Sequence, residues 1–543
     1  MKKLNIFFLL FIVISINANA QTANSTLNRP KLVVGVVVDQ MRWDYLYRYY
    51  DRYGQDGFKR LLTKGFSCEN TFIPYTPTHT AAGHTCVYTG SVPAVNGILG
   101  NNWYSRADGR VVYCAEDNSV KTVGSSSDAG LMSPKNMWTT TITDELRLAT
   151  NFKSKVIGIA LKDRGAILPA GHSANAAYWF DNATGGWITS THYMNDLPKW
   201  VKDFNAKKLP DTYMSKDWNT LYPINTYNQS TSDNKPYENA VAGSGTFPHA
   251  TSKLKGKAAY DAFRTTPYGN TFTIDMAKAA IESEQLGKSA NTDFLTVSFS
   301  SPDYIGHSFG PNSIEAEDGF LRLDKDLSNF FQYLDTKIGK GQYLLFLTAD
   351  HGAAHIPGFM TENKIPAGLA SSADIKKLLN DEAEKQFGVK DIIISVINYQ
   401  LYLNYSLIGE KKLDEEAVTD FMLTRLKAHP GIAGAVNLHE LNEETIQQTI
   451  KERLSNGYNQ ILSGDIQFIF KPQWFDGRSK GTSHGVWNPY DSHIPLLWYG
   501  WGIKPGKSNR EVYMTDIAPT VAALLRIQMP NGCVGKVIEE VVK

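Results

Sequence analysis

Residues 31–39 read KLVVGVVVD, an unbroken apolar run that stops on an aspartate. A short Val-rich run without polar alternation predicts a strand buried on both faces, as in the centre of a parallel sheet covered by helices. The same pattern recurs along the chain. KVIGIAL (155–161) leads into Lys162-Asp163-Arg164, TDFLTVS (292–298) ends shortly before Asp303, and YLLFL (343–347) leads into Thr348-Ala349-Asp350-His351-Gly352. PLLWY (495–499) is a last central strand. Helical stretches fall between and after these runs, at 271–286, at 314–338 (Phe320, Leu323, Leu327, Phe330 and Leu334 in step) and at 516–527. Strands alternating with helices predict an α/β fold, three layers deep, with a mostly parallel sheet and helices on both faces. Such sheets bind ligands at the carboxyl ends of their strands, which is where Asp39, Lys162, Asp303 and Asp350 fall.

The chain has 543 residues, 42% hydrophobic and 12% aromatic, enough for a substantial core. Its 55 Lys+Arg against 54 Asp+Glu give a net charge of +1. That balance offers no electrostatic ground for nucleic acid as a specific partner or for an anionic membrane. At the N-terminus, Lys2 and Lys3 precede a short apolar stretch (Ile6 to Ile16) and Ala18-Asn19-Ala20. This is the form of a signal peptide, residues 1–20, cleaved on export to the periplasm or beyond. The stretch is too short to span a bilayer, and no later segment is apolar enough to do so. The remainder, 21–543, reads as one catalytic domain with insertions at about 171–268 and 361–478. The first insertion carries a hairpin signal at Asp181-Asn182-Ala183-Thr184-Gly185-Gly186. Four cysteines, Cys68, Cys86, Cys114 and Cys533, lack metal-site spacing, and one or two disulfides are expected after export.

The chemistry-bearing residues gather in Gly-flanked loops after the apolar strands. Asp39 follows VGVVV, Asp303 and His307 stand four apart in SPDYIGHSFG, Asp350 and His351 are adjacent in TADHG, and His484 lies in GTSHG. Six carboxylate and imidazole ligands suit two Zn²⁺ ions with three ligands each and positions open for substrate; manganese or cobalt would fit similar donors. The run Pro77-Thr78-His79-Thr80-Ala81-Ala82-Gly83-His84-Thr85 predicts a helix through Tyr88 with Thr80 at its N-terminus. There the free N–H groups and helix dipole favour an alkoxide and an incoming phosphate.

VVVDQMR, PTHTAAGHTCVYTG, AVNGILGNNWY, TADHG, GTSHG and TDIAPTVAALL together resemble the alkaline phosphatase superfamily in its nucleotide pyrophosphatase-like branch. The Lys-Asp-Arg triplet most resembles the bacterial phosphate-irrepressible alkaline phosphatases. The resemblance covers about half the chain and implies an alkaline-phosphatase-like sandwich with cap insertions. It implies Thr80 as nucleophile, Asp39, Asp350 and His351 on one zinc, and Asp303, His307 and His484 on the other. Asn101, Lys162 and Arg164 are implied to contact the transferred phosphoryl group. The implied enzyme is a monomeric zinc phosphomonoesterase of broad range, acting on small phosphate monoesters through a phosphothreonine. The rival is a phosphodiesterase or nucleotide pyrophosphatase with the same Thr and metals. Lys162 and Arg164 separate the two, because paired cations favour a dianionic monoester. Residues for the third, Mg²⁺ site of some alkaline phosphatases are not found, and Lys162 can replace its charge. The C/S-x-P-x-R loop of sulfatases is absent around Cys86.

Overall fold

The computed structural model describes residues 27–543; the expected signal peptide lies outside them. In chain order, the first elements are β1 (Leu32–Val38), β2 (Phe66–Phe72), α1 (Thr80–Thr89), the hairpin β3 (Asn102–Ser105) and β4 (Arg110–Tyr113), β5 (Val156–Ala160) and α2 (Asp163–Ala170). Next come β6 (Ala176–Asp181), β7 (Gly186–Ser190), α3 (Tyr268–Ser283), β8 (Asp293–Phe299), α4 (Ser301–Phe309), α5 (Ile314–Leu334) and β9 (Tyr343–Thr348). The elements that complete the molecule are β10 (Ile393–Ile397), β11 (Gln400–Leu403), β12 (Ile432–Asn437), β13 (Ile466–Phe470), β14 (Leu496–Gly500), β15 (Gly506–Tyr513) and α6 (Ile517–Leu525).

An eleven-stranded sheet runs through the molecule in the order β2–β14–β9–β1–β8–β5–β6–β7, with β15 beside β2 and short strands at either end. Its centre is parallel. β1 lies between β9 and β8 with Val33 opposite Leu344 and Phe294, and β5 joins β8 and β6 in the same sense. Antiparallel pairing is confined to the margins, where β14 meets β9 and β2, and β7 returns along β6. All seven residues of β1 are buried, and each Val or Leu so removed from water contributes about 1.5–3 kcal/mol. The expected hairpin is present, with Asp181 opposite Gly186, and it adds β6 and β7 to the central sheet. Helix α5 ends at Leu334, four residues before its expected end at 338, and the chain continues in one widened turn, Asp335–Gly339.

Within 361–478 the chain builds a separate antiparallel sheet, β10–β11–β13–β12, over its own apolar core, which includes Leu401, Met422, Phe468 and Phe470. The expected disulfides are not formed: all four cysteines are free. Cys68 lies on β2, Cys86 inside α1 and Cys114 just after β4, and all three are buried. Burial pushes these three thiols up to about 12, so they are packed as small apolar groups.

Gly35 shows how closely α1 approaches β1. A Cβ there would lie 2.3 Å from the Tyr88 hydroxyl and 2.7 Å from the Phe346 ring. Gly35→Ala is expected to destabilise the fold by about 1–3 kcal/mol through overpacking. A lower urea midpoint with unchanged slope would show it; an unshifted midpoint would contradict this packing.

Candidate active site

Because β9, β1, β8 and β5 are parallel neighbours, their carboxyl ends abut, and the residues that follow them meet. Asp39 follows β1, Asp350 follows β9, Lys162 caps α2 after β5, and Asp303 lies in the first turn of α4 after β8. All four are buried. The Lys162 ammonium bridges two of the carboxylates, 2.7 Å from Asp39 Oδ2 and 2.5 Å from Asp303 Oδ2. Two of its three N–H donors are spent on Asp39 and Asp303, and one remains. Three carboxylates against one ammonium leave an excess of buried negative charge, which is costly unless cations balance it. Burial, then the facing Asp303 and Asp350, raises the Asp39 carboxyl well above its usual range. Asp39 Oδ1 and Asp350 Oδ2 are buried and make no hydrogen bond.

The histidines are oriented in the same way. His351 Nδ1 faces the Gly352 carbonyl at 2.9 Å, His307 Nδ1 the Thr482 carbonyl at 2.8 Å, and His484 Nδ1 the Thr78 carbonyl at 2.6 Å. A carbonyl only accepts, so each Nδ1 donates, and in the neutral ring each Nε2 presents a lone pair. Those Nε2 atoms face carboxylates: His351 is 3.6 Å from Asp39 Oδ1 and 3.5 Å from Asp350 Oδ2, His307 is 3.2 Å from Asp303 Oδ1, and His484 is 3.9 Å from the same oxygen. Burial holds His351 and His484 below the usual imidazole range, whereas Asp303 raises His307 against its burial. Lone pairs converging on carboxylates, with the opposite ring nitrogen tied to a backbone carbonyl, form a donor set suited to a divalent metal.

Two groups of donor atoms lie within 4.8 Å of one another, Asp39 with Asp350 and His351, and Asp303 with His351 and His484. The first is the expected trio. The second joins Asp303 and His484 of the expected second trio to His351, whose ring stacks on His484 at 3.5 Å between centroids. His307 borders this group through Asp303.

Thr80 begins α1, and its Oγ1 lies 3.3 Å from His351 Nε2. The helix start lacks a side-chain cap. The next amide, Ala81 N–H, donates to Asn101 Oδ1 at 3.0 Å, which leaves Asn101 Nδ2 without a hydrogen bond among the described residues. Arg164, on the first turn of α2, donates through Nη1 to the Tyr113 hydroxyl at 3.2 Å, while its Nε is buried without a partner. Burial, then His351 and Arg164, holds His79 down at about 3.

The sequence reading passed over several supports. Gln40 donates through its side-chain amide to Asp303 Oδ1 at 2.8 Å and through its backbone N–H to Asp350 Oδ1 at 3.1 Å, in a left-handed conformation at φ 65°. His84 Nδ1 faces the Thr80 carbonyl at 2.8 Å and Asp350 Oδ2 at 3.3 Å. Asp491 accepts from the Gly485 and Val486 amides, 2.9 Å each, and so shapes the loop of His484. Gln40 directly follows Asp39 and could have been singled out from that adjacency; Asp491 has no local signal.

This geometry agrees with the comparisons with known proteins. Residues 33–491 match the family described as type I phosphodiesterase / nucleotide pyrophosphatase, and the chain belongs to that family, within the alkaline phosphatase superfamily. Among its relatives is alkaline phosphatase PhoV of Synechococcus elongatus, 57% identical over 95% of this chain and 94% of that one. Alkaline phosphatase PafA of Elizabethkingia meningoseptica is 52% identical over 98% of both chains. A protein of Myroides odoratus named calcium-transporting ATPase is 55% identical over 96% of this chain and 97% of its own length. The crystal structure of wild-type PafA superposes with a TM-score of 0.93 at 52% identity, covering 95% of this chain and all of that one.

Gly83 lets α1 lie against the Asp350 segment. A Cβ there would be 2.4 Å from the Asp350 carbonyl oxygen and 2.6 Å from its Cβ. Gly83→Ala is expected to displace Asp350 and lower turnover by roughly 100-fold while the chain still folds. Activity within twofold of the parent would show that this approach does not govern the site.

Proposed function

We propose that this chain is an exported alkaline phosphatase, cleaved after Ala20, that hydrolyses small phosphate monoesters through a phosphothreonine at Thr80. The observation that carries the reading is the Thr80 hydroxyl at an uncapped helix N-terminus, beside His351 and with unspent donors of Asn101 and Arg164 nearby. The relatives named alkaline phosphatase support it. Asp39, Asp350 and His351 would hold one zinc ion and Asp303, His307 and His484 a second, supplying the Lewis acidity that activates a hydroxyl and neutralises a leaving oxygen.

Thr80 Oγ attacks phosphorus, the bond to the ester oxygen breaks, and the alcohol leaves with a proton. Water then cleaves the Thr80–phosphate bond, returning the hydroxyl and releasing inorganic phosphate. The Thr80 and Ala82 N–H groups at the start of α1, unlike that of Ala81, are left for the transferred group. Asn101, its Oδ1 anchored by Ala81, offers Nδ2 to one phosphoryl oxygen, and Arg164 offers its unspent donors. Lys162 holds Asp39 and Asp303 together with two of its donors and offers the third to the phosphoryl group. A monoester dianion gains most from this arrangement, whereas a diester carries one charge and a second organic group. The name of the Myroides relative implies transport, yet no helix among the described residues is long and apolar enough to cross a membrane.

Thr80→Ala is expected to lower hydrolysis of an aryl phosphate monoester by about a thousandfold or more, with no labelled phosphoenzyme after an acid quench. Full activity in that variant would reject the covalent route. A chelator is expected to remove two zinc ions per chain by elemental analysis, abolish turnover and lower the melting temperature, with added Zn²⁺ restoring all three. A metal-free protein retaining full activity would overturn the metal assignment. Arg164→Ala is expected to reduce monoester kcat/KM by about 100-fold and diester kcat/KM much less. Preference of the purified parent for an aryl diester would favour the phosphodiesterase reading instead.

A further inference from the structure

The Arg164 guanidinium has a single hydrogen-bonded acceptor among the described residues, the Tyr113 hydroxyl at 3.2 Å. The direction of that bond is fixed. Tyr113 spends its one proton on Asp163 Oδ1 at 2.7 Å, so its oxygen can only accept from Arg164. Burial, then Asp163, raises the phenol well above its usual range. The carboxylate of Asp163 is 3.9 Å from Arg164 Nη1 and adds attraction without a hydrogen bond.

The phenol is mounted firmly. Tyr113 ends β4, where it pairs with Asn102 on β3. Its backbone N–H donates to Glu116 Oε2 at 2.9 Å, and its carbonyl accepts from Asn136 Nδ2 at 3.3 Å. The next amide, Cys114 N–H, donates to the Asn101 carbonyl at 3.0 Å. The β3–β4 hairpin therefore carries Asn101 at its entry and the acceptor of Arg164 at its exit, tied to each other. A flexible guanidinium with no acceptor would sample many rotamers, and holding it in one lowers the ordering cost when an anion arrives.

We propose that Tyr113, oriented by Asp163, is a positioning residue that aims the Arg164 guanidinium at the substrate phosphoryl group, so that one hairpin sets both Asn101 and Arg164. The inference rests on the reading of Arg164 as a phosphoryl contact. Tyr113→Phe keeps the ring and removes the acceptor.

The experiment is a double-mutant cycle of Tyr113→Phe and Arg164→Ala, read as kcat, KM and inhibition by inorganic phosphate, with an aryl monoester and an aryl diester. Tyr113→Phe is expected to lower monoester kcat/KM about tenfold and weaken phosphate inhibition by a similar factor, with diester turnover and melting temperature unchanged. In the Arg164→Ala background the same substitution is expected to cost less than twofold. Asp163→Ala, a second variant, is expected to show the same loss and the same silence without Arg164. Equal losses in both backgrounds, or no loss in the parent, would overturn the inference while leaving Arg164 in place. An Arg164→Ala enzyme as active on monoesters as the parent would remove the underlying reading and the inference with it.

Discussion

Buried negative charge is the constraint on which this structure turns. Parallel strands β9, β1 and β8 deliver Asp350, Asp39 and Asp303 to one point, and burial there disfavours three ionised carboxylates unless positive charge is close. Lys162, delivered by the neighbouring strand β5, supplies one charge by bridging Asp39 and Asp303. The rest of the local architecture keeps the excess in place. Gln40 pins Asp303 and Asp350 from a strained backbone conformation, and Gly83 admits α1 against the Asp350 segment. The three imidazoles are fixed by backbone carbonyls in the tautomer that turns a lone pair inward.

Against that charge, the anionic substrate of the proposed reaction needs its own recognition, and the candidate donors lie on different elements. The helix N-terminus at Thr80, the Asn101 amide and the Arg164 guanidinium are all donors. Asn101 and Arg164 are far apart in sequence, yet the β3–β4 hairpin touches both. On the proposed reading, acceptors for cations come from strand ends and α4, and donors for phosphate from the starts of α1 and α2 and the entry of the hairpin. This division lets the two sets sit side by side without neutralising each other. Lys162 stands between the two sets, with two donors on Asp39 and Asp303 and a third unspent.

Much of this was legible in the sequence because the apolar runs are short, Val-rich and stop on polar residues. KLVVGVVV, KVIGIAL, TDFLTVS and YLLFL all form central strands, and α1 spans Thr80–Thr89 where a helix through Tyr88 was expected. Of the six metal-type residues, Asp39, Asp350 and His351 follow β1 and β9, Asp303 and His307 lie on α4 just after β8, and His484 lies in a loop between Gly481 and Gly485. What escaped had no local signal. The free cysteines depend on which residues pack around each thiol, which spacing does not encode. The placement of His351 beside His484 depends on ring stacking across the site. The commitment of Lys162 to Asp39 and Asp303 depends on strand order, with β5 beside β8, and sequence order alone does not state that neighbourhood.

The second sheet illustrates the point most sharply, because its contribution arrives through a strained turn. Asn398 and Tyr399, between β10 and β11, have φ values of 58° and 62°, the left-handed region that costs an ordinary residue about 1–2 kcal/mol. A glycine would relieve the backbone but would remove both contacts the turn makes. Asn398 Nδ2 donates to the Asn102 carbonyl at 2.9 Å, and the Tyr399 hydroxyl donates to the His484 carbonyl at 3.0 Å. One tip thus braces the β3–β4 hairpin on the donor side and the His484 loop on the acceptor side. Strain persists in a fold only where surrounding contacts over-determine it, and here those contacts are the backbone on either side of the substrate position. The site is therefore assembled by two sheets with separate cores, and the strained turn ties one to the other.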